Sequence, residues 1–548
     1  MMMEFDYAAM MDELKQSLGP EALEWQEDDF FSTLKVVPTV IPELFTMLRD
    51  QFDFNHLANL TAVDYAEEME MIYHLTQVPG NRSLAIKSRI DRKQPRVASL
   101  SGIYPTANWQ ERETYDLMGV VFEGHPNLVR VLLPDDFQGH PLRKDFSRRP
   151  WTEVIADIKD GTASSNAAAT AGSYFSNLEK QDLWTDQYVL NVGPQHPSTH
   201  GGAHIETLLD GEIIVDINVR LGYVHRSVEK ISEMKTFTQF IPYTARLDYL
   251  AGCLSPLSYT QAVEKLLDIQ PSERAEYIRV IMAEFSRISS HLLCIGSLAL
   301  DLGSTTAMIY CVRDREQIMD MFEMIGGQRL LLSFLRLGGV ANDFPETFEP
   351  AARRFLRELP SMIDEYHKVI TGNEILQSRI KGIGRLSAEE AVAFGVTGPN
   401  LRASGVNYDI RRADPYGVYD RFDFEVPIYS GGDSWARYLV RIDEIIQSAR
   451  IIEQALDSLP PGEFRSKVPK VIKAPADREV YHHIESAKGE LGYHIIARAG
   501  EEKPYRLHVR APSFINLQVL PMLCRGAKFQ DLITNIATLD PVLGEADR

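Results

Sequence analysis

Residues 162–173 read TASSNAAATAGS, with no charge and no large apolar side chain. Such a stretch cannot bury enough surface to pack and has the composition of a linker. It divides the 548-residue chain, which is already too long for a single core. The expected layout is a domain over 1–150, a linker over 151–182 and a larger domain over 183–548. Upstream, Met69–Val78 and Arg82–Arg89 are β-rich and flank Pro79-Gly80-Asn81, which predicts a hairpin. Glu43–Phe52 and Glu111–Met118 read as helical, and Gly119–Glu123 and Leu128–Leu133 as short strands. Downstream, Gln187–Val192, Ala203–Leu209 and Glu212–Leu221 predict an antiparallel meander. Helices then dominate, near 223–240, 248–268, 272–302, 305–325, 347–370 and 434–458. The expected class is α+β in two domains: an α/β domain, then a mainly helical one that opens on an antiparallel sheet.

Charge and cysteine content exclude several functions. The chain has 57 Lys+Arg against 77 Asp+Glu, a net charge of −20. Residues 1–70 alone hold 16 Asp/Glu and 3 Lys/Arg. Nucleic-acid binding relies on clustered positive charge and is not expected. The acidic start suits solvent or a basic partner. The longest apolar run, Leu292–Val312, is interrupted by Asp301, so no spanning helix is predicted. The first residues lack a basic start and apolar core, so no signal peptide is expected either. Cys253, Cys294, Cys311 and Cys524 are widely separated and form no CxxC pair. That argues against a disulfide framework, a zinc ribbon and a thiolate-held cluster.

Four constellations could carry chemistry. The first is GPQHPSTHGGAH over 193–204, in which His196, His200 and His204 fall at spacing four. Pro197 and Gly201-Gly202 oppose a helix, so no metal is expected, and a tight loop holding one or two functional histidines is the better reading. The second is Arg246-Leu247-Asp248-Tyr249 at the start of a helix, where Asp248 suits the positive dipole end. The third is an apolar helix with Arg287, His291 and Asp301. Buried ionisable groups must be paired, so a structural pair is the default and proton handling the sharper alternative. The fourth is ERETYDLMG (111–119) with GHPLRKDF (139–146), read as a solvated face or a contact between subunits. No GxxxxGK[ST] loop or strand-linked GxGxxG occurs, so neither ATP nor NADH is expected to bind here.

These motifs carry a resemblance. ERETYDLMG and GHPLRKDF resemble the C subunit of proton-translocating NADH:quinone oxidoreductase, respiratory complex I. GPQHPSTHG, RLDYL, RASGVNYD (402–409), GELGYHI (489–495), RAPSFINLQ (510–518) and LDPVLGEADR (539–548) are similar to its D subunit. The chain thus resembles the fused C/D form. The D part is related to the nickel–iron hydrogenase large subunit, whose fold is expected for the second domain. The four hydrogenase cysteines would align with Asp248, Ala251, Val542 and Glu545, so no metal site is expected. The resemblance implies quinone binding by His200 and Tyr249, each a proton donor to one quinone oxygen, with Asp301 pairing the histidine. It implies that Arg226, Arg246 and His291 face a 4Fe–4S cluster in an adjacent subunit. It further implies a membrane subunit forming the quinone channel, other peripheral-arm partners, ubiquinone or menaquinone as substrate, and a peripheral position on the cytoplasmic side of the cell inner membrane. The alternatives are the same role in a complex fed by ferredoxin or another donor, and a redox-inert scaffold. Residues 464–485 are shorter than is usual for D subunits, and Ser227 replaces a typical glycine.

Overall fold

The computed structural model describes residues 7–27, 30–147, 187–199 and 201–548. The expected linker lies outside these residues, and so does His200. The chain divides into two compact units. One comprises 1–78, 82–194 and 203–225, and the other 79–81, 195–202 and 226–548. The division groups residues 187–194 and 203–225, assigned from sequence to the second domain, with the first unit.

The first unit is built on a five-stranded sheet. Its strands are β1 (Leu23–Glu27), β2 (Ser32–Val36), β3 (His56–Asp64), β4 (Glu68–Thr76) and β5 (Ser83–Asp91), in the order β1-β2-β5-β4-β3. Neighbours run antiparallel except β2 and β5. The predicted hairpin is β4–β5. The first helix of the unit, Tyr7–Leu18, and strands β1 to β3 were not foreseen. Strand β3 is buried on both faces, so its sequence shows no alternation to read. The helix Ile41–Asp50 buries Ile41, Leu44, Phe45 and Leu48, an i, i+3, i+4, i+7 stripe.

The charged motif 111–119 is not a solvated face. It occupies the helix Ala107–Met118, which packs on β3 and buries Glu111, Arg112, Glu113 and Asp116. Asp116 Oδ2 accepts the amides of Val131, Leu132 and Leu133 at 3.0, 2.9 and 2.9 Å, and Oδ1 accepts from Arg130 at 2.6 Å. Because a carboxylate holds these amides, residues 128–133 pair with no strand, contrary to the expectation from their β-rich sequence. Two short strands, β6 (Arg96–Ala98) and β7 (Val121–Glu123), pair in parallel. The same unit holds the meander β8 (Gln187–Val192), β9 (His204–Asp210) and β10 (Ile213–Arg220), antiparallel as predicted.

The second unit is a helical assembly centred on the helix Glu273–Asp301, which packs against Thr305–Gly326, Ser434–Asp457 and Phe529–Leu539. Ser272 starts it by accepting the amide of Ala275 at 3.3 Å. The expected helix over 223–240 is two short ones, Val228–Ser232 and Phe237–Thr244. The second is begun by a capping box of Thr236 and Gln239. A hairpin β11 (Leu335–Arg336) and β12 (Gly339–Val340) follows the helix Thr305–Gly326. Near the end of the chain, β13 (Arg478–Glu485), β14 (Glu490–Ala497) and β15 (Pro504–Arg510) form an antiparallel sheet against the helix Leu254–Leu267. Among the described residues, no helix is long and apolar enough to cross a membrane.

Candidate functional site

The histidine loop folds as a turn, as Pro197 and Gly201-Gly202 require. Thr199 is buried, and its hydroxyl contacts the carbonyls of His196 and Gly201, both at 2.8 Å. His196 and Gly201 also form a β-bridge. His200 lies outside the described residues. His204 is on β9, where its ring meets Asn191 at 3.2 Å and Tyr223 at 3.3 Å.

Residues 246–253 form a turn, and the helix starts at Leu254 rather than at 248. Asp248 accounts for the difference: its Oδ1 accepts the amides of Leu250 at 3.1 Å and Ala251 at 3.2 Å, closing a local turn instead of capping a helix. Tyr249 is 38% exposed. Burial of part of its ring, and the Asp248 charge beside it, raise its hydroxyl above the usual phenol range. Arg246 is exposed and donates to the carbonyl of Pro242. Arg226 is exposed too, and its amide donates to the Arg548 carbonyl at 3.0 Å.

One short helix supports both loops. In Leu543–Asp547, Leu543 lies against Gly201, where a Cβ would meet Leu543 Cδ1 at 2.9 Å. Gly201 has φ +152°, so a side chain there would be strained as well as obstructed. A Cβ on Gly544 would come within 2.9 Å of the Leu247 carbonyl and 3.4 Å of Tyr249 Cδ1. The residue after His200 and the ring of Tyr249 therefore rest on consecutive residues of one segment. Asp301 is the last residue of the helix Glu273–Asp301 and is partly exposed.

The third constellation is a buried ionic network. His291 is 0% exposed, and its Nε2 meets Glu444 Oε2 at 2.8 Å. Burial pushes the imidazole down to about 4 despite Glu444, so at neutral pH it is an uncharged donor. Burial also disfavours the Glu444 charge, but Arg402 and His291 outweigh this and hold the carboxyl well below the usual range. Arg402 bridges Glu444 at 2.6 Å and Glu485 at 2.9 Å, while Arg411 joins Asp409 at 2.7 Å to Glu284 at 3.1 Å. Arg287 donates to the Ser486 and Glu485 carbonyls at 2.8 and 2.6 Å. His291 thus pairs with Glu444. With no exposed atom, His291 does not share the accessible surface of Arg226 and Arg246.

Two family descriptions match the chain: "Respiratory-chain NADH dehydrogenase, 49 Kd subunit" over 301–478 and 470–548, and "Respiratory-chain NADH dehydrogenase, 30 Kd subunit" over 34–151. The NADH-quinone oxidoreductase C/D subunit of Bacteroides thetaiotaomicron is 39% identical over 526 residues, 94% of this chain and 99% of that one. The chain belongs to the C/D-subunit family of NADH-quinone oxidoreductase. The second part of this C/D-family chain is also 50% identical over 368 residues to the NADH-quinone oxidoreductase D subunit of Clostridium beijerinckii, covering 67% of the chain and 99% of the relative. Among solved structures, a chain of the archaeal membrane-bound sulfane sulfur reductase, a respiratory membrane complex, is similar with TM-score 0.64 and 34% identity. That match covers 66% of this chain and 99% of that one.

Sequence reasoning overlooked the buried charges that the C/D-family motifs carry. Lys488 and Asp540, in GELGYHI's preceding turn and LDPVLGEADR, form a buried ion pair. The hydrogenase-aligned positions Asp248, Ala251, Val542 and Glu545 are all buried. The available signal was charge inside otherwise apolar motifs, since such groups persist only when paired.

Proposed function

We propose that the chain forms the quinone-reduction site of a proton-translocating NADH:quinone oxidoreductase, beside the terminal 4Fe–4S cluster of a neighbouring subunit. The observation that carries this reading is the match to a fused C/D relative over 94% of this chain and 99% of the relative. The adjacent cluster supplies electrons, and this chain supplies walls and proton donors. Reduction of a quinone by two electrons creates two basic oxygens, each needing a proton. Tyr249 serves one oxygen and His200 the other, as positioned general acids. The shared support of Gly201 and Tyr249 on Leu543–Asp547 favours this pairing, because it ties both loops to one rigid segment. Asp301 holds the imidazolium form of His200 before reduction.

Arg226 and Arg246, both exposed, face the partner subunit and its cluster, where their charge favours the reduced state. His291, buried and bonded to Glu444, would act on that cluster through the ionic network that holds it. A membrane subunit forming the quinone channel, with the other peripheral-arm subunits, holds the chain peripherally at the cytoplasmic side of the inner membrane. The residues before 151 form a C-type domain joined to the D-type domain by the linker.

A complex fed by ferredoxin or another donor would use the same residues. The sulfane sulfur reductase likeness supports it, but over a smaller share of the chain than the C/D relatives cover. The test is quinone reduction by complexes carrying Tyr249→Phe and His200→Ala. Strong loss in both supports the assignment, and near-normal rates in both overturn it in favour of a redox-inert scaffold.

A further inference from the structure

The buried side of the Tyr249 loop carries more acid than base. Asp248 is fully buried, and while Oδ1 accepts two amides, Oδ2 has no hydrogen-bond partner among the described residues. Glu545 repeats the pattern. Its Oε2 accepts the amide of Ser513 at 3.1 Å and the Ser513 hydroxyl, while Oε1 has no partner among the described residues. The backbones that carry the two acids touch, since a Cβ on Gly544 would lie 2.9 Å from the carbonyl of Leu247.

The surrounding charges do not neutralise both acids. Lys488 is paired with Asp540, and Arg441 Nε lies 3.8 Å from the same Asp540. Three carboxylates therefore meet two cations, and both cations lean on Asp540. Of the other titratable groups nearby, Tyr493 is bound to Ser255 at 2.7 Å, Arg548 turns to Glu229 at 3.8 Å, and Asp547 follows on the Glu545 helix. Tyr249 stands next to Asp248 on the loop. An ionised carboxylate only accepts hydrogen bonds, so these two buried oxygens find no donor among the described residues. One carboxylic O–H between them satisfies both at once. Two carboxylates that share a site hold a proton in this way because both cannot ionise. Burial first, and then the Asp248 charge, push the Glu545 carboxyl up to about 8. Burial also raises Asp248, against the opposing pull of Lys488.

We propose that Asp248 and Glu545 hold one proton between them, and that this shared proton keeps the Tyr249 loop seated on the helix Leu543–Asp547. Both are positioning residues for Tyr249, and the inference rests on the quinone reading of that tyrosine. Removing the proton leaves two like charges facing each other in a dry place. Their repulsion parts Leu247 from Gly544 and withdraws the floor beneath the Tyr249 ring.

The test uses the assembled complex. The quinone-reduction kcat of the native complex should fall about tenfold between roughly pH 7 and pH 9, following one ionisation near 8. Glu545→Gln carries an amide that donates without titrating, and should keep its rate across that interval. Infrared spectra should show a protonated-carboxyl C=O band in the native complex that disappears over the same interval and is missing in Glu545→Gln. Glu111, the buried acid pushed up to about 7 in the first unit, loses its own band in both complexes alike, so the native-minus-variant difference isolates the pair. An alkaline limb in the same place with and without Glu545→Gln overturns the proposal, as does a carboxyl band the substitution leaves unchanged. If Glu545→Gln fails to assemble, Asp248→Asn reads the same two quantities. The native complex alone overturns the proposal if no carboxyl band titrates between about pH 7 and pH 9. The infrared result does not depend on the quinone reading: a fully active Tyr249→Phe complex removes that reading and leaves the band to judge the pair.

Discussion

Glu444 accepts from His291 Nε2 on one carboxylate oxygen at 2.8 Å and from Arg402 on the other at 2.6 Å, with all three side chains sealed from solvent. The arrangement fixes the protonation of the histidine. Arg402 supplies the charge that Glu444 needs, and a neutral ring completes the set without adding a second buried cation.

Acid should therefore unfold the helical unit through His291. Its proton affinity is lower in the fold, about 4, than the ordinary 6.5. Stability is fully present above about 6.5 and is lost as pH falls through about 4, by a few kcal/mol at most. Urea unfolding between these pH values should show a slope that His291→Gln flattens. An unchanged slope would show that His291 is not the titrating group.

Breaking the centre of the network should cost more than breaking its edge. Glu444→Ala leaves His291 Nε2 without its acceptor and takes from Arg402 one of its two bridged carboxylates, Glu485 remaining, and should cost about 3–5 kcal/mol. Ser448→Ala removes only one of the bonds to Glu284, made at 2.6 Å, and should cost about 1–3 kcal/mol. Thermal unfolding of both variants checks the ranking.

In the first unit, Asp116→Asn weakens four contacts at once, three to amides and one to Arg130. Hydrogen exchange at Val131, Leu132 and Leu133 should accelerate before global unfolding does, with a stability loss of about 2–3 kcal/mol. Protection that stays level across residues 131–133 would contradict the anchoring role.

On the proposal that Tyr249 is a proton donor to quinone, Tyr249→Phe should lower kcat by roughly a hundredfold or more while changing the quinone KM little. Steady-state rates with a soluble quinone separate the two constants. A rise in KM alone would make Tyr249 a binding residue.

Gly544→Ala should impair the same rate without altering any reacting group. The added methyl meets the Leu247 carbonyl at 2.9 Å and the Tyr249 ring at 3.4 Å, so the loop must move. The expected signature is lower kcat with unchanged thermal stability of the first unit.

Long periodic elements and punctuation were legible in the sequence. The helix Ser434–Asp457 announced itself by its apolar spacing and by the Asp433 that caps it, accepting the Ala436 amide at 2.9 Å. The meander β8–β10 was marked by Asp210-Gly211. Strand β3 escaped because both of its faces are buried, and residues 128–133 misled because Asp116 holds their amides in place of a neighbouring strand. At the site, the residue types around Tyr249 were readable, whereas the partners were not. Glu444 and Lys488 reach His291 and Asp540 from distant parts of the chain, and no local pattern encodes such meetings. The charges of the helix Ala107–Met118 looked solvated because spacing alone does not distinguish a paired buried carboxylate from an exposed one.

The seating of Gly201 and Tyr249 on Leu543 and Gly544 also orders events during synthesis. Both loops leave the ribosome long before the segment that supports them, with an entire helical assembly translated in between. Contacts so distant along the chain close late. A nascent chain can complete its earlier helices while its Tyr249 loop still lacks a floor, which it gains only after Leu543 and Gly544 have emerged.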